Sequence, residues 1–155
     1  MNPQKIFIIQ TAFLGDVVLT TPLIKAVKRK YPHSKIFFLL IPQTKELLQN
    51  NPDLDGVIVY NKKNKEKGVS SFLALAKKIR ASGFDLAFIP HRSFRSALLA
   101  YLARIPQRIG FDKSSGAFLF TQKIKYIQNQ PESKRNLSLL ETDIVPTLIP
   151  SRIII

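Results

Sequence analysis

Lys5 to Pro32 reads KIFIIQTAFLGDVVLTTPLIKAVKRKYP, and the order of its parts decides the fold. The apolar run Ile6–Ile9 predicts a buried strand over Lys5–Gln10. A short turn follows and ends in Leu14-Gly15-Asp16. Val17, Leu19, Leu23, Ile24 and Val27 then recur at helical spacing, so a helix is expected over Val17–Lys30. It starts at Asp16 or restarts at Pro22, because Thr21-Pro22 also reads as a cap followed by a first-turn proline. Asp16 therefore sits at the carboxyl end of a first strand, the edge where open α/β sheets bind ligands. Gly15 beside it lets a substrate approach the backbone closely.

Two readings of Asp16 stand side by side. As a helix N-cap it would satisfy free backbone N–H groups and complement the helix dipole. As a general base at a crevice mouth it would take a proton from a substrate hydroxyl. The turn is neither a dinucleotide fingerprint, which needs three spaced glycines, nor a phosphate-binding P-loop, since no Gly-Lys-Ser/Thr follows.

The rest of the chain repeats the strand–helix alternation. Lys35–Ile41 is a continuous apolar strand, as expected when both faces of a sheet are covered. Thr44–Gln49 reads as a short helix and Gly56–Tyr60 as a third strand. Val69–Ser82 is an amphipathic helix with Gly83 at its C-cap. Phe84–Pro90 is a fourth strand, Ser93–Arg104 a helix, Arg108–Phe111 a short strand, Lys123–Ile127 a further short strand and Glu132–Glu141 a last helix. The expectation is an α/β fold, a Rossmann-like three-layer αβα sandwich with a mainly parallel sheet. Phe94, Phe111, Phe118, Tyr60 and Tyr101 are expected in the core by default, with the wall of a binding crevice as the alternative. Lys25, Lys28, Arg29 and Lys30 complement the C-terminus of the first helix.

At 155 residues and 45% hydrophobic composition, this is one domain with a real core. With no cysteine, disulfides and thiolate metal sites are excluded, and two histidines build no metal centre unaided. The apolar run near the start is too short for a signal peptide, and none reaches a transmembrane length. The 24 Lys and Arg outnumber 10 acidic residues, for a net charge of +14. Such a surface attracts polyanions: nucleic acid, anionic headgroups, or phosphorylated and carboxylated sugars. No recognised nucleic-acid motif is present, and the aromatics sit in apolar patterns rather than among the basic residues, which argues against nucleic acid.

His91-Arg92-Ser93-Phe94-Arg95-Ser96 follows the fourth strand at its carboxyl end. Ser93 suits the N-cap, and Arg92 and Arg95 would flank the crevice beside strand one. Arginine forks suit carboxylates and phosphates. The alternative is a solvated helix start with His91 hydrogen-bonded at its edge. Lys62, Lys63, Lys65 and Lys67 lie in the loop after strand three, where a charge run on spacing alone is usually solvated.

Five segments together resemble the N-terminal half of the lipopolysaccharide heptosyltransferases. They are IFIIQTAFLGDVVLTTPLIKAVKRKYP, NPDLDGVIVY, FDLAFIPHRSFRSALLAYLA, RIGFD and ESKRNLSLLE. The resemblance implies a two-domain GT-B enzyme whose N-terminal domain binds the acceptor and whose C-terminal domain binds the nucleotide-sugar, ADP-heptose in this family. Transfer would proceed with inversion, without a covalent intermediate, a metal or a resident cofactor. The base would be Asp16. Thr11, Gly15, Lys62, Lys63, His91, Arg92, Ser93 and Arg95 would bind the acceptor, an anionic glycolipid of the Kdo-lipid A type. Residues 1–143 would be that acceptor domain, and 144–155 a linker or the truncated start of the donor domain. The protein would work in the cytoplasm, peripherally at the inner face of the membrane, and this chain alone would transfer negligibly. A non-catalytic glycan- or lipid-binding remnant and a basic nucleic-acid-binding module are the alternatives.

Overall fold

In the computed structural model, residues 3–61 and 68–144 are described, with side chains to residue 141. Lys62, Lys63, Lys65, Lys67 and the tail 145–155 lie outside the described residues. The strands are β1 (Lys5–Ile9), β2 (Lys35–Leu40), β3 (Gly56–Val59), β4 (Leu86–Ile89), β5 (Gln107–Phe111) and β6 (Gln122–Ile124). All are parallel, in the order β3-β2-β1-β4-β5-β6. The helices are α1 (Leu14–Val18), α2 (Thr21–Lys30), α3 (Lys45–Leu48), α4 (Val69–Ser82), α5 (Phe94–Leu102) and α6 (Glu132–Leu137). This is the doubly wound Rossmann-like arrangement, a three-layer αβα sandwich, whose strand order reverses between β1 and β4.

Each strand face has its own core, which is why β1 reads as an unbroken apolar run. Ile6 and Ile8 pack with Leu23, Ile24 and Val27 of α2, and with Leu139, on one side. Phe7 and Ile9 pack with Phe72 and Ile79 of α4, and with Ala97 and Ala100 of α5, on the other. α4 ends where Gly83 takes φ 71°, the left-handed cap that an L side chain resists.

The first helix is broken in two. Phe13, not Asp16, is the N-cap of α1, and Asp16 lies within its first turn without a capping hydrogen bond. Pro22 has no N–H for the carbonyl of Val18, and the Thr21 hydroxyl donates to that oxygen instead at 2.7 Å. The Thr20 hydroxyl donates to the carbonyl of Asp16 at 2.7 Å. The chain thus restarts with Thr20 as the N-cap of α2 and proline in its first turn. α6 is shorter than its sequence pattern, giving way to a 3-10 segment over Ser138–Ile144.

Three aromatics expected inside are outside. Phe94 is 42% exposed and Phe118 72%, and their rings stack on each other at 6.3 Å. A 3-10 turn, Ala117–Leu119, turns Phe118 outward while Phe120 is buried beneath it. Tyr101 is likewise exposed, whereas Phe111 and Tyr60 are buried.

Candidate functional site

A cleft of about 280 Å³ opens at the carboxyl edge of the sheet, at the reversal between β1 and β4. Its wall is built from three places in the chain. The turn after β1 supplies Gln10 and Ala12, and α1 supplies Asp16; the turn after β4 supplies Pro90, His91, Arg92 and Ser93. The third wall is Phe111, Tyr126 and, from α6, Glu132, Arg135 and Asn136.

The first turn is held by buried polar groups. Gln10 is 2% exposed. Its amide Nε2 donates to the Thr20 hydroxyl at 3.3 Å, and its Oε1 accepts from the Ala12 N–H at 3.3 Å. Since Thr20 in turn donates to the carbonyl of Asp16, the backbone that carries Asp16 is tied to the end of β1. Gly15 is exposed, and a Cβ built on it would meet nothing within 4 Å. No packing in the described chain demands glycine there.

The second turn is ordered around His91. Its Nδ1 lies 3.1 Å from the Thr11 hydroxyl, 2.9 Å from that of Ser96 and 3.3 Å from that of Ser93. Ser93 is the N-cap of α5 and accepts from the Ser96 N–H at 3.2 Å. Thr11 is buried behind His91, outside the lining of the cleft, so it orients the imidazole rather than facing a ligand. Arg92 is exposed, with its guanidinium carbon 4.3 Å from the centre of the Tyr126 ring.

Arg95 goes elsewhere. It sits in the first turn of α5, on the side toward α4. There its Nη1 donates to the Tyr60 hydroxyl at 2.8 Å, and its guanidinium carbon lies 5.8 Å from the Phe72 ring centre. Arg92 and Arg95 therefore do not converge on one crevice.

α6 contributes what sequence reasoning left unassigned. Glu132, Arg135 and Asn136 are three and four residues apart and share one helical face. That periodic signal was present in ESKRNL, but what the face would meet was not. Asn136, 2% exposed, donates from Nδ2 to the carbonyl of Leu19 at 3.1 Å and so clamps α6 to the end of α1. Arg135 is also buried. It lies over Tyr126 at 4.3 Å and reaches Glu132 at 3.9 Å. Glu132 and Asp16 line the same cleft. Burial, and then the charge of Asp16, push Glu132 above the usual carboxylate range, while Arg135 and Arg92 pull it back down.

The cleft thus offers two carboxyls backed by two guanidiniums. That set can accept a proton and hold an anionic group. Among the described residues no cluster of His, Asp and Glu could hold a metal ion, and no helix is long and apolar enough to cross a membrane.

The sequence matches the family described as glycosyltransferase family 9 (heptosyltransferase) over residues 72–145. It is 31% identical over 143 residues to lipopolysaccharide heptosyltransferase 3 of Escherichia coli, across 88% of this chain and 42% of that one. A solved family 9 glycosyl transferase from Veillonella parvula superposes with a TM-score of 0.82 at 25% identity, across 90% of this chain and 41% of that one. An E. coli heptosyltransferase solved with ADP-2-deoxy-2-fluoro heptose superposes with a TM-score of 0.78 at 16% identity, across 89% and 47%, which shows the shared fold. The chain spans less than half the length of each of these proteins.

Proposed function

The chain belongs to glycosyltransferase family 9, the heptosyltransferases, and from that membership we propose that it is the acceptor-binding domain of an inverting transferase with Asp16 as general base. The observation that carries the proposal is the placement of Asp16. It lines the cleft at the strand-order reversal together with Arg92 and Arg135, and the N-caps of α1 and α2 are Phe13 and Thr20 instead.

The chemistry follows from that placement. The hydroxyl of an inner-core glycolipid acceptor enters beside Gly15, where no side chain stands in the way. Asp16 takes its proton as the oxygen attacks the anomeric carbon of a nucleotide-activated heptose. The bond from that carbon to the diphosphate breaks in the same displacement, and the diphosphate leaves with the electron pair. One base suffices, because a diphosphate needs little acid help to depart. Arg92, exposed and braced on Tyr126, pairs with a carboxylate or phosphate of the acceptor. His91 and Ser93 shape the same wall, with Thr11 behind them. Lys62 and Lys63 would add charge toward the acceptor phosphates. The donor would be held by residues beyond this chain, with no resident cofactor or metal, so the isolated chain transfers negligibly. The excess of positive charge suits work at the cytoplasmic face of an anionic membrane.

The test is transfer of heptose from ADP-heptose to Kdo-lipid A by this chain fused to the nucleotide-sugar-binding half of a family 9 relative. Asp16→Ala is expected to lower kcat by about 10²–10⁴-fold, the range for loss of a general base, with acceptor binding and folding kept. Full activity in the variant would refute the assignment.

A further inference from the structure

The chain exposes an aromatic pair that the acceptor cleft does not use. Phe94 opens α5, and Phe118 sits on the Ala117–Leu119 turn after β5, so both stand at the carboxyl edge of the sheet. Both are exposed, and their rings stack at 6.3 Å with 27° between their planes. The turn is held firmly in place. A Cβ built on Gly116 would lie 2.5 Å from Cβ of Ala97 and 3.3 Å from Cδ1 of Phe94, so the backbone there is pressed against α5. The Ser115 N–H donates to the carbonyl of Arg92 at 3.1 Å, and the Ala117 N–H to that of Ser114 at 3.1 Å. We propose that this pair is a membrane contact: it enters the headgroup boundary of an anionic bilayer and sets the neighbouring cleft at the height where a glycolipid presents its sugars. This deepens, and rests on, the reading of the chain as the domain that binds a glycolipid acceptor.

Charge and position choose the occupant. Arg92 lies just before Phe94 and Lys113 just before the turn that carries Phe118; both are exposed, in a chain of net charge +14. The acid beside Lys113 is already engaged: Oδ1 of Asp112 accepts from the Tyr126 N–H at 3.0 Å. Apolar rings bordered by cations match a surface that is anionic at its headgroups and apolar beneath them. Each signal needs the other. A small apolar wedge alone holds a protein to lipid only marginally, and stable contact takes a second, electrostatic term. Stacking covers only one face of each ring, and entry into the headgroup boundary would remove the remaining apolar surface from water. Ser93, the neighbour of Phe94, lines the cleft, so the rings and the site share one rim. A bilayer seated on the rings therefore presents its headgroups to Arg92 and to the mouth of the cleft.

The chain has no tryptophan, so Phe118→Trp gives it a single indole reporter. Tyr101→Trp, at an exposed position near the far end of α5, is the control. With vesicles of mixed phosphatidylcholine and phosphatidylglycerol, the indole at 118 is expected to shift its emission to the blue and to be quenched by lipids brominated on their acyl chains. The indole at 101 should do neither. Vesicles of phosphatidylcholine alone should bind more weakly. Phe118→Ser should weaken binding to the mixed vesicles about fivefold or more, the order expected when one phenylalanine loses its burial. No shift at 118, equal shifts at both positions, or undiminished binding by Phe118→Ser would overturn the proposal, since charge alone would then account for any binding. A wild-type dimer that Phe118→Ser converts to monomers without vesicles would overturn it in favour of a second copy of this chain. In the fusion to the nucleotide-sugar-binding half of a family 9 relative, Phe118→Ser should lose transfer to Kdo-lipid A in vesicles and keep transfer to the deacylated, water-soluble acceptor. Loss with both acceptors would assign the rings to the joined half and overturn the proposal. Vesicle contact that fails while the fusion still transfers to the soluble acceptor overturns the membrane contact and leaves the acceptor-binding reading standing.

Discussion

Asn136→Ala probes the clamp on which the geometry of the cleft depends. The Asn136 amide is 2% exposed and bonds the carbonyl of Leu19 at 3.1 Å, joining residues 117 apart in sequence. Truncation removes that bond and leaves the carbonyl without its donor. A buried acceptor left unpaired costs about 1–3 kcal/mol. Leu19 itself is 40% exposed, so water can reach part of its backbone, and the lower part of that range applies: about 1–2 kcal/mol. For a domain of this size each kcal/mol moves Tm by about 2–4 °C, so a fall of about 2–8 °C is expected. Urea denaturation at neutral pH measures it directly, with an unchanged slope showing that the loss is in stability and not in the compactness of either state. A loss below about 0.5 kcal/mol, the ordinary scatter of surface substitutions, would refute the claim that this amide holds α6 in place.

Gly110→Ala should cost about 1–3 kcal/mol, because its Cβ would sit 2.2 Å from Cε2 of the buried Phe120 ring; an unchanged urea midpoint would contradict the close packing of β5. Glu132→Gln tests the electrostatics through pH. Burial and Asp16 hold the folded Glu132 carboxyl above its ordinary 4.5. Between the unfolded and folded values the folded chain carries more protons, so the stability this group contributes is present below 4.5 and lost as pH rises through its folded value. The glutamine variant has no such loss. Its stability relative to wild type should be greater at about pH 7 than at about pH 4, and a gap that does not change with pH would contradict this.

The fold was legible where one rule governed each segment. β1 and β2 read as unbroken apolar runs because helices cover both sheet faces. α4 was legible at both ends because its periodicity stops at a glycine able to adopt φ 71°. The split between α1 and α2 was half legible. Thr21-Pro22 announced the restart, but the hydroxyls of Thr20 and Thr21, which bond back to Asp16 and Val18, decided where the first helix stops. The exposed Phe94–Phe118 pair was not legible, since an aromatic in an apolar stretch reads as core until a 3-10 turn reverses it. The same division holds for the site. Asp16, His91 and Arg92 were readable from strand ends, which a parallel sheet gathers along one edge. Glu132, Arg135 and Asn136 were readable as a helical face, but only packing across the length of the chain sets that face against α1. Arg95 was drawn away by Tyr60 and Phe72, partners that lie on other elements.

The central claim is that this cleft receives an anionic glycolipid acceptor. The most direct measurement is amide-shift mapping during titration with deacylated, water-soluble Kdo-lipid A, in wild type and Arg92→Ala. Perturbations are expected to gather at Gly15, Asp16, His91, Arg92 and Glu132. The variant should bind about tenfold or more weakly, matching the loss of one hydrogen bond to a charged group. Perturbations centred elsewhere, such as around Arg80, Arg104 and Arg108 at the separate surface cavity they line, or equal affinity in the variant, would contradict the account.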